Sequence, residues 1–489
     1  MVFYHGVITI TFSTIKEFFS IIFSRHGKNF LVNILTGIST FFVLLFLFVP
    51  IFLFENFIKI CLKLRYKENF GGFLDFDTFF ERLKLTITYV YFVESKSYTE
   101  VFENVETQVQ KLYKSNYKFS SNVKKCCGLY FFVKNQVKSE KILFTFENDF
   151  SSRNEFVDFL ETNHFGEFES NEKLWEVQVF KNPIFWDEET VFPVVIRYNH
   201  CVGDGVTLMS FQRKYLLSNV NDATFRNAMK KSKRPEIILN RINLLKYINS
   251  MKVKSNYLQP QYVSKPNLAT FIENEPKYLN IIKRLARNLE CNFTSIVLSA
   301  CTASILDFLK NKRIYPNNLH LANTCREFSE NINDVLDGKI LQNHASFDYY
   351  NVQTVEGNFY LQFKTWLKCF KTERDSGDFQ LLFLLIKISN YIPLYFVKRS
   401  LTSLTSKTLL GVTNIPGLDF GKFGNLPIKK MFFFVNHFAY TKFILFVLSY
   451  EGKLQVSLMS DETVDINRKD LQSILENTFK KIDDLCNLH

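Results

Sequence analysis

The sequence predicts a mixed α/β (α+β) protein of two lobes behind an N-terminal transmembrane helix, and three observations predict it. Strand-like and helix-like segments alternate through both halves of the 489-residue chain, a pattern that argues against a helical bundle. A basic stretch bearing prolines, residues 226–266, separates those halves. Residues 29–54 carry no charged side chain. Apolar residues make up 47% of the chain, which supplies a sizeable core and excludes wholesale disorder.

Residues 1–70 form the expected membrane region. Between Phe30 and Phe54, 19 of 25 residues are apolar, and about 20 suffice to cross a bilayer as a helix. Pro50 is tolerable near the end of such a span. The run is too long for a signal-peptide core, and no small-residue cleavage site stands out. A buried core helix is the competing reading. Residues 1–23, broken only by Lys16-Glu17, would form a second membrane element or an interfacial helix. Lys16, Arg25 and Lys28 precede the span, while Lys59, Lys63, Arg65 and Lys67 follow it. That bias puts the C-terminal side in the cytosol.

Residues 71–225 form the first lobe. Residues 144–146, 175–180 and 191–198 read as strands, and residues 102–113 and 154–161 as helices. The 226–266 stretch reads as a crossover linker, with Pro235, Pro260, Pro266 and little periodicity. Its basic run at 226–234 is either a solvated charge cluster or a contact for phosphates. Residues 267–489 form the second lobe. It begins with a strand at 269–272 and a helix at 278–289. Another helix opens at Thr294, with Ile296, Val297, Ala300 and Ala303 on one face. Residues 379–397 are apolar but interrupted by Lys387 and Pro393. They read either as a helix dipping into one leaflet or as an ordinary core helix. Residues 442–449 and 453–458 read as a hairpin turning at Glu451-Gly452, and residues 468–485 as a last amphipathic helix.

The net charge of +12 would suit anionic lipid, nucleic acid or a phosphate-bearing substrate. Nucleic acid is set aside, because the basic residues are spread along the chain and no nucleic-acid motif accompanies them. Nine cysteines include no Cys-x-x-Cys pair, so neither metal-ligand spacing nor a disulfide framework is present. A reducing environment fits that usage.

One segment concentrates the chemistry. Tyr198-Asn199-His200-Cys201-Val202-Gly203-Asp204-Gly205 reads His-x-x-x-Asp-Gly, set between the strand at 191–198 and a helix marked by Val206, Leu208, Met209 and Phe211. A histidine at a strand end, before a tight acidic-glycine turn, is a candidate general base because its ordinary pKa lies near ~6.5. Cys201 beside it reads as a small apolar filler.

Several further segments, in order, resemble the bifunctional wax ester synthase/diacylglycerol acyltransferases of the CoA-dependent acyltransferase and condensation-domain superfamily. Asn199 to Gly205 is similar to the family's His-His-x-x-x-Asp-Gly signature, with Asn199 in place of the first His. Lys173-Leu174-Trp175-Glu176 resembles its Pro-Leu-Trp segment, without the Pro. Asn292-Phe293-Thr294 resembles its Asn-Asp helix start, and Asn323-Thr324-Cys325-Arg326 its segment ending in Arg. Thr413-Asn414-Ile415-Pro416-Gly417 resembles its Ser-Asn-Val-Pro-Gly motif. Ser449-Tyr450-Glu451-Gly452, with Asp461 after it, resembles its Ser-Tyr-x-Gly signature. The likeness runs from about residue 70 to the C-terminus.

The resemblance implies a chloramphenicol-acetyltransferase-like, condensation-domain-like fold. It also implies transfer of a long-chain acyl group from acyl-CoA to a long-chain alcohol or to diacylglycerol, with the second His catalytic. On that reading His200 deprotonates the hydroxyl and returns the proton to the CoA sulfur, with no acyl-enzyme. Asp204 caps the following helix and holds the loop by pairing with Arg326, or else orients His200 directly. Gly205 allows close backbone approach. Thr413 and Asn414, on a turn fixed by Pro416-Gly417, donate to the oxyanion or position the acyl chain. No bound cofactor or metal is expected, and acyl-CoA is a co-substrate. The expected partners are the acceptor lipid and the bilayer. The expected location is the endoplasmic reticulum with cytosolic lobes, the alternative being the plasma membrane. Asn199 motivates a different class, a catalytically weakened lipid- or acyl-CoA-binding member. The N-terminal span disfavours a third, condensation on carrier-bound thioesters.

Overall fold

The computed structural model describes residues 53–166, 172–187, 189–221, 223–231, 266–326, 332–354, 359–374, 378–390, 392–436, 441–461 and 464–488. The expected span, apart from Leu53 and Phe54, lies outside the described residues, as do residues 1–23 and most of the linker. The chain packs as two units, residues 1–70 with 126–129, and the remainder. In the first unit residues 53–66 are helical, and Leu53, Phe54, Phe57, Ile60 and Leu64 are 55–69% exposed. Spacings of three and four residues set them in one apolar stripe. Among the described residues one helix, Phe293–Asn311, has the length and hydropathy of a membrane span, but it is mostly buried. Its face of Ile296, Val297, Ala300 and Ala303 lies in the protein core.

The second unit runs through strands β1 (Thr86–Val93), β2 (Leu143–Phe146), β3 (Trp175–Phe180), β4 (Ile184–Trp186), β5 (Glu189–Asn199), β6 (Ser218–Asn221) and β7 (Leu268–Ile272). It continues through β8 (Asn318–Arg326), β9 (Ala345–Gln353), β10 (Thr408–Leu418), β11 (Phe420–Phe423), β12 (Leu426–Val435), β13 (Phe443–Tyr450) and β14 (Lys453–Ser460). An eight-stranded sheet has the order β2-β3-β5-β1-β12-β11-β6, with β4 paired to β5. A six-stranded sheet has the order β7-β14-β13-β10-β8-β9. One core cluster takes in residues of both sheets, such as Phe433 of β12 and Phe446 of β13, and a second is built on the six-stranded sheet.

Local chemistry accounts for the central elements. In β1, TITYVYFV is buried at every position, and a strand covered on both faces reads as an unbroken apolar run. Ser97 caps the helix Tyr98–Ser115, whose Val101, Val105, Val109 and Leu112 are buried at helical spacing. In the β13–β14 hairpin, Glu451 and Gly452 both adopt positive φ, 52° and 72°, as a two-residue turn matched to strand twist requires.

Three boundaries differ from the sequence expectation. Residues 267–489 are not a self-contained lobe, because β11 and β12 join the first sheet, where β12 pairs with β1 from Ile428 to Val435. Strand pairing is non-local, so the FFF run of β12 does not announce its partner. The helix Ala223–Lys231 crosses the expected start of the linker. The apolar stretch at 379–397 is not one helix. It ends at Ser389, and a second helix, Leu394–Thr405, starts after Pro393, whose backbone is extended (φ −52°, ψ 137°). Proline lacks the N–H a continuing helix needs.

Candidate active site

β5 delivers His200 one residue past its end. Its backbone pairs with β1 on one side and β3 on the other. Beneath it Trp175 stacks on Tyr198 at 5.9 Å and donates its indole N–H to the Phe119 carbonyl at 2.9 Å. The loop then turns tightly, with Val202 N–H donating to the Asn199 carbonyl at 3.0 Å. Asp204 begins the helix Gly205–Phe211 by accepting from Thr207 N–H at 3.0 Å. Gly205 leaves room for the Ile415 side chain, whose Cδ1 would lie 2.2 Å from a Cβ there.

The imidazole of His200 stacks on Phe80, rings 4.2 Å apart and 8° from parallel. Burial pushes its pKa below the ordinary value, against the opposing pull of nearby groups including Asp204. The ring is therefore neutral at neutral pH, the form a base needs. Burial alone would raise Asp204, but Arg326 and the N–H groups of Thr207 and His344 outweigh it and hold the carboxyl below its usual range. Arg326 Nε lies 2.9 Å from Asp204 Oδ2. The Cys201 thiol is fully buried and pushed well up, which disfavours the thiolate a nucleophile needs.

Residues the sequence did not single out hold the loop. Asn343 donates its side-chain N–H to the His200 carbonyl at 2.6 Å, and its backbone and side-chain N–H groups to Asp77 Oδ1 at 3.1 and 2.9 Å. Asp77 also pairs with Lys118 at 2.8 Å, and Lys118 donates to the Val202 carbonyl at 2.9 Å. All three side chains are buried. His344 N–H donates to Asp204 at 3.0 Å, and Thr207 donates to the Gln342 carbonyl at 3.2 Å. Residues 342–344 thus clamp both ends of the His-to-Asp loop. Asn199 donates to Glu81 Oε2 at 2.9 Å and accepts from Cys201 N–H at 2.9 Å, so it pins the turn. No local pattern marks Asp77 or Asn343. The only hint for Lys118 is a lysine between Tyr117 and Phe119, where a surface lysine has no need of such company.

His200, Asp204, Gly205, Arg326, Thr413 and Asn414 all line one cavity of about 800 Å³, near the upper end of small-molecule sites. Most of the rest of its wall is apolar, with Phe79 and Phe80 on one side and Leu382, Leu385, Ile386, Val397 and Leu401 on another. Thr413 and Asn414 are not on a turn. They belong to β10, because Pro416 and Gly417 are absorbed into an irregular strand instead of ending it. Thr413 hydrogen-bonds Thr324 at 3.1 Å, and Asn414 donates to Thr294 at 3.1 Å. The arrangement brings a neutral imidazole, hydroxyl and amide donors and a long apolar volume to one place.

Residues 362–483 match the WS/DGAT C-terminal domain family. This part of the chain is similar to the C-terminal domain of wax ester synthase/diacylglycerol acyltransferases. No curated protein matches the chain by sequence. Among solved structures, a wax ester synthase/diacylglycerol acyltransferase from Marinobacter aquaeolei is 13% identical and superposes over 84% of this chain and 97% of its own, with a TM-score of 0.55. A trichothecene 15-O-acetyltransferase from Fusarium sporotrichioides is 9% identical over 85% and 95%, TM-score 0.62. The first condensation domain of the CDA synthetase is 10% identical over 86% and 97%, TM-score 0.55. At such identities the likeness is one of fold: the chain has the two-sheet condensation-domain-like architecture.

Within the WS/DGAT stretch, two sequence motifs prove to be one joint. A Cβ on Gly417 would fall 1.3 Å from the Ser449 carbonyl oxygen, so β10 and β13 meet backbone to backbone there. Gly417 N–H donates to Ser449 Oγ at 3.3 Å. Tyr450 donates to the Ile428 carbonyl at 2.8 Å and accepts from Gly421 N–H at 3.2 Å. The joint carries the chain from the second sheet, where Thr413 and Asn414 sit, into β11 and β12 of the first.

Proposed function

We propose that this protein is an O-acyltransferase that moves a long-chain fatty acyl group from acyl-CoA to a lipid hydroxyl, that of a long-chain alcohol or of diacylglycerol. The observation that carries this reading is the seat of His200. A buried imidazole biased to its neutral form lines an apolar cavity of about 800 Å³ together with the side chains of Thr413 and Asn414. His200 takes the proton as the hydroxyl attacks the thioester carbonyl. The Asn414 amide, which has a second N–H beside the one given to Thr294, supplies a donor for the oxyanion, and Thr413, whose hydroxyl donates to Thr324, turns to the oxyanion by rotating or positions the acyl chain. As the tetrahedral species collapses, the C–S bond breaks and the proton passes to the CoA thiolate. No acyl-enzyme forms. Asp204 and Arg326 hold the loop and touch no reacting atom.

Burying an acyl tail contributes roughly 0.8 kcal/mol per methylene, which suits long chains over short ones. The charge-free run at 30–54, anchored in the endoplasmic reticulum with the lobes in the cytosol, would keep the site where bilayer acceptors and acyl-CoA meet. The test is an assay of membranes from cells lacking their own neutral-lipid synthases, with labelled palmitoyl-CoA and either hexadecanol or dioleoylglycerol. Product from wild type that His200→Ala reduces ~10²–10⁴-fold supports the base. Equal, background-level product from both leaves a lipid-binding protein and sinks the enzymatic reading.

A further inference from the structure

We propose that the apolar patch of Ile392, Tyr395 and Phe396, at the start of the helix Leu394–Thr405, docks on an anionic lipid bilayer and opens the cavity to it. The proposal rests on the acyltransferase reading above and names where its lipid acceptor enters. Outside the 53–66 helix, nine large apolar side chains are exposed among the described residues, and three of them, Ile392, Tyr395 and Phe396, fall within five positions. Tyr395 is 64% exposed and Phe396 56%. A soluble surface has no use for such a cluster. Ile392 and Phe396 also line the cavity that holds His200, so the patch and the site share side chains.

Charge selects the occupant. From Phe379 to Leu418 the chain has no acidic residue, while Lys387, Lys398, Arg399 and Lys407 are basic. Lys398 and Arg399 are exposed, and Arg399 donates to the Tyr395 hydroxyl at 3.1 Å. An apolar face rimmed by basic side chains, with a tyrosine at the boundary, suits headgroups of anionic lipid. The patch is also tied to the catalytic loop. Arg82 donates to the carbonyls of Ser389 and Ile392, both at 2.6 Å, and Asn390 donates to the Asp75 carbonyl at 2.6 Å. Arg82 ends the short helix Thr78–Leu83, whose Phe80 stacks on His200. A lipid hydroxyl leaving the bilayer here enters a wall already fixed relative to the base.

The chain offers a direct probe, because all three native tryptophans are fully buried. An indole introduced by Tyr395→Trp in the full chain, reconstituted into phosphatidylcholine vesicles with phosphatidylglycerol, reports on this surface in the difference from the wild-type spectrum, to which the buried tryptophans contribute equally. The expected result is blue-shifted emission quenched by brominated phosphatidylcholine. Reversing two charges with Lys398→Glu and Arg399→Glu should weaken that contact by on the order of fivefold per charge. Solvent-like emission that brominated lipid leaves unchanged overturns the proposal. Quenching that survives both reversals in full overturns its anionic half. Ile392→Trp serves as the second reporter if Tyr395→Trp perturbs folding. The readout needs no turnover, so a chain that binds vesicles through this patch but transfers no acyl group fails the functional reading and not this one.

Discussion

Lys118→Met tests whether the buried Asp77–Lys118–Asn343 network holds the His200 loop. Methionine keeps most of the apolar stem and removes the ammonium. The ion pair to Asp77 at 2.8 Å and the hydrogen bond to the Val202 carbonyl at 2.9 Å are lost, as is the charge 4.9 Å over the Phe132 ring. Stripping one partner from a buried pair costs ~3–5 kcal/mol. Asp77 keeps two donors from Asn343, at 3.1 and 2.9 Å, so the loss should fall near ~3 kcal/mol. Asp77→Asn with Lys118→Met leaves no buried charge, so the double variant should lose ~1–3 kcal/mol less than the two single losses together. Chemical denaturation of the solubilised full chain, followed by tryptophan emission, measures all four corners of the cycle. Trp175 is a local reporter through its bond to the Phe119 carbonyl. Freed from its tether, the loop should also cost turnover, since ~1 Å of misplacement is worth ~10² in rate. A single loss under ~1 kcal/mol, or additive losses, would refute the reasoning.

Gly417→Ala drives a Cβ into the Ser449 backbone, whereas Gly205→Ala meets a movable methyl of Ile415. The first should abolish soluble expression, and the second should cost ~1–3 kcal/mol in a melt; equal outcomes would contradict the joint. Asn199→His should lower kcat, because Asn199 is fully engaged with Glu81 and Cys201, and a gain in rate would show the pin to be dispensable. The acid limb of kcat/KM should lie below pH ~6.5, because burial depresses His200 and the neutral ring is the active form; a limb at or above that value counts against His200 as the base. Burial also lowers His164 to about 3 and His320 to about 4 from 6.5. Both stay neutral in the fold while the unfolded chain takes up protons, so their stabilisation is complete above pH ~6.5 and is lost as the pH falls toward those values. The melting temperature should drop across that window, and His164→Gln should flatten the drop.

Legibility followed distance along the chain. The β5 strand, the cap at Asp204 and the hairpin at Glu451-Gly452 were readable because each rests on contacts within a few residues. The Asp204–Arg326 pair was anticipated across 122 positions, but only because a family resemblance named both ends. What escaped was non-local with no pattern to mark it. Asp77 and Asn343 meet across 266 positions, and neither belongs to a periodic segment. The fate of β12 depended on which sheet offered an open edge, which a run of phenylalanines does not encode. Thr413 and Asn414 were placed on a turn because Pro-Gly ordinarily makes one. Here the glycine serves a close approach of two paired strands instead, at the irregularity between Ile415 and Leu418.

That joint changes what the motifs are for. Of the segments that resemble the acyltransferase family, only the one at His200 carries the base of the proposed reaction. Most of the others are mechanical. Trp175 underlies β5, Arg326 holds Asp204, and Gly417 with Ser449 and Tyr450 locks β10 to β13 while sending β12 to lie beside β1. β1 in turn pairs with β5 from Thr86 opposite Asn199. The chain running from β10 through β11 into β12, and the pairing of β12 with β1 and of β1 with β5, therefore link Thr413 and Asn414 on β10 to the imidazole after β5. The second half of the chain supplies that path, the clamp at 342–344 and the apolar helices of the cavity wall. Asn199 fits the same logic. At the position that resembles the family's first His, Asn199 fastens the turn, and His200 keeps its seat in the cavity.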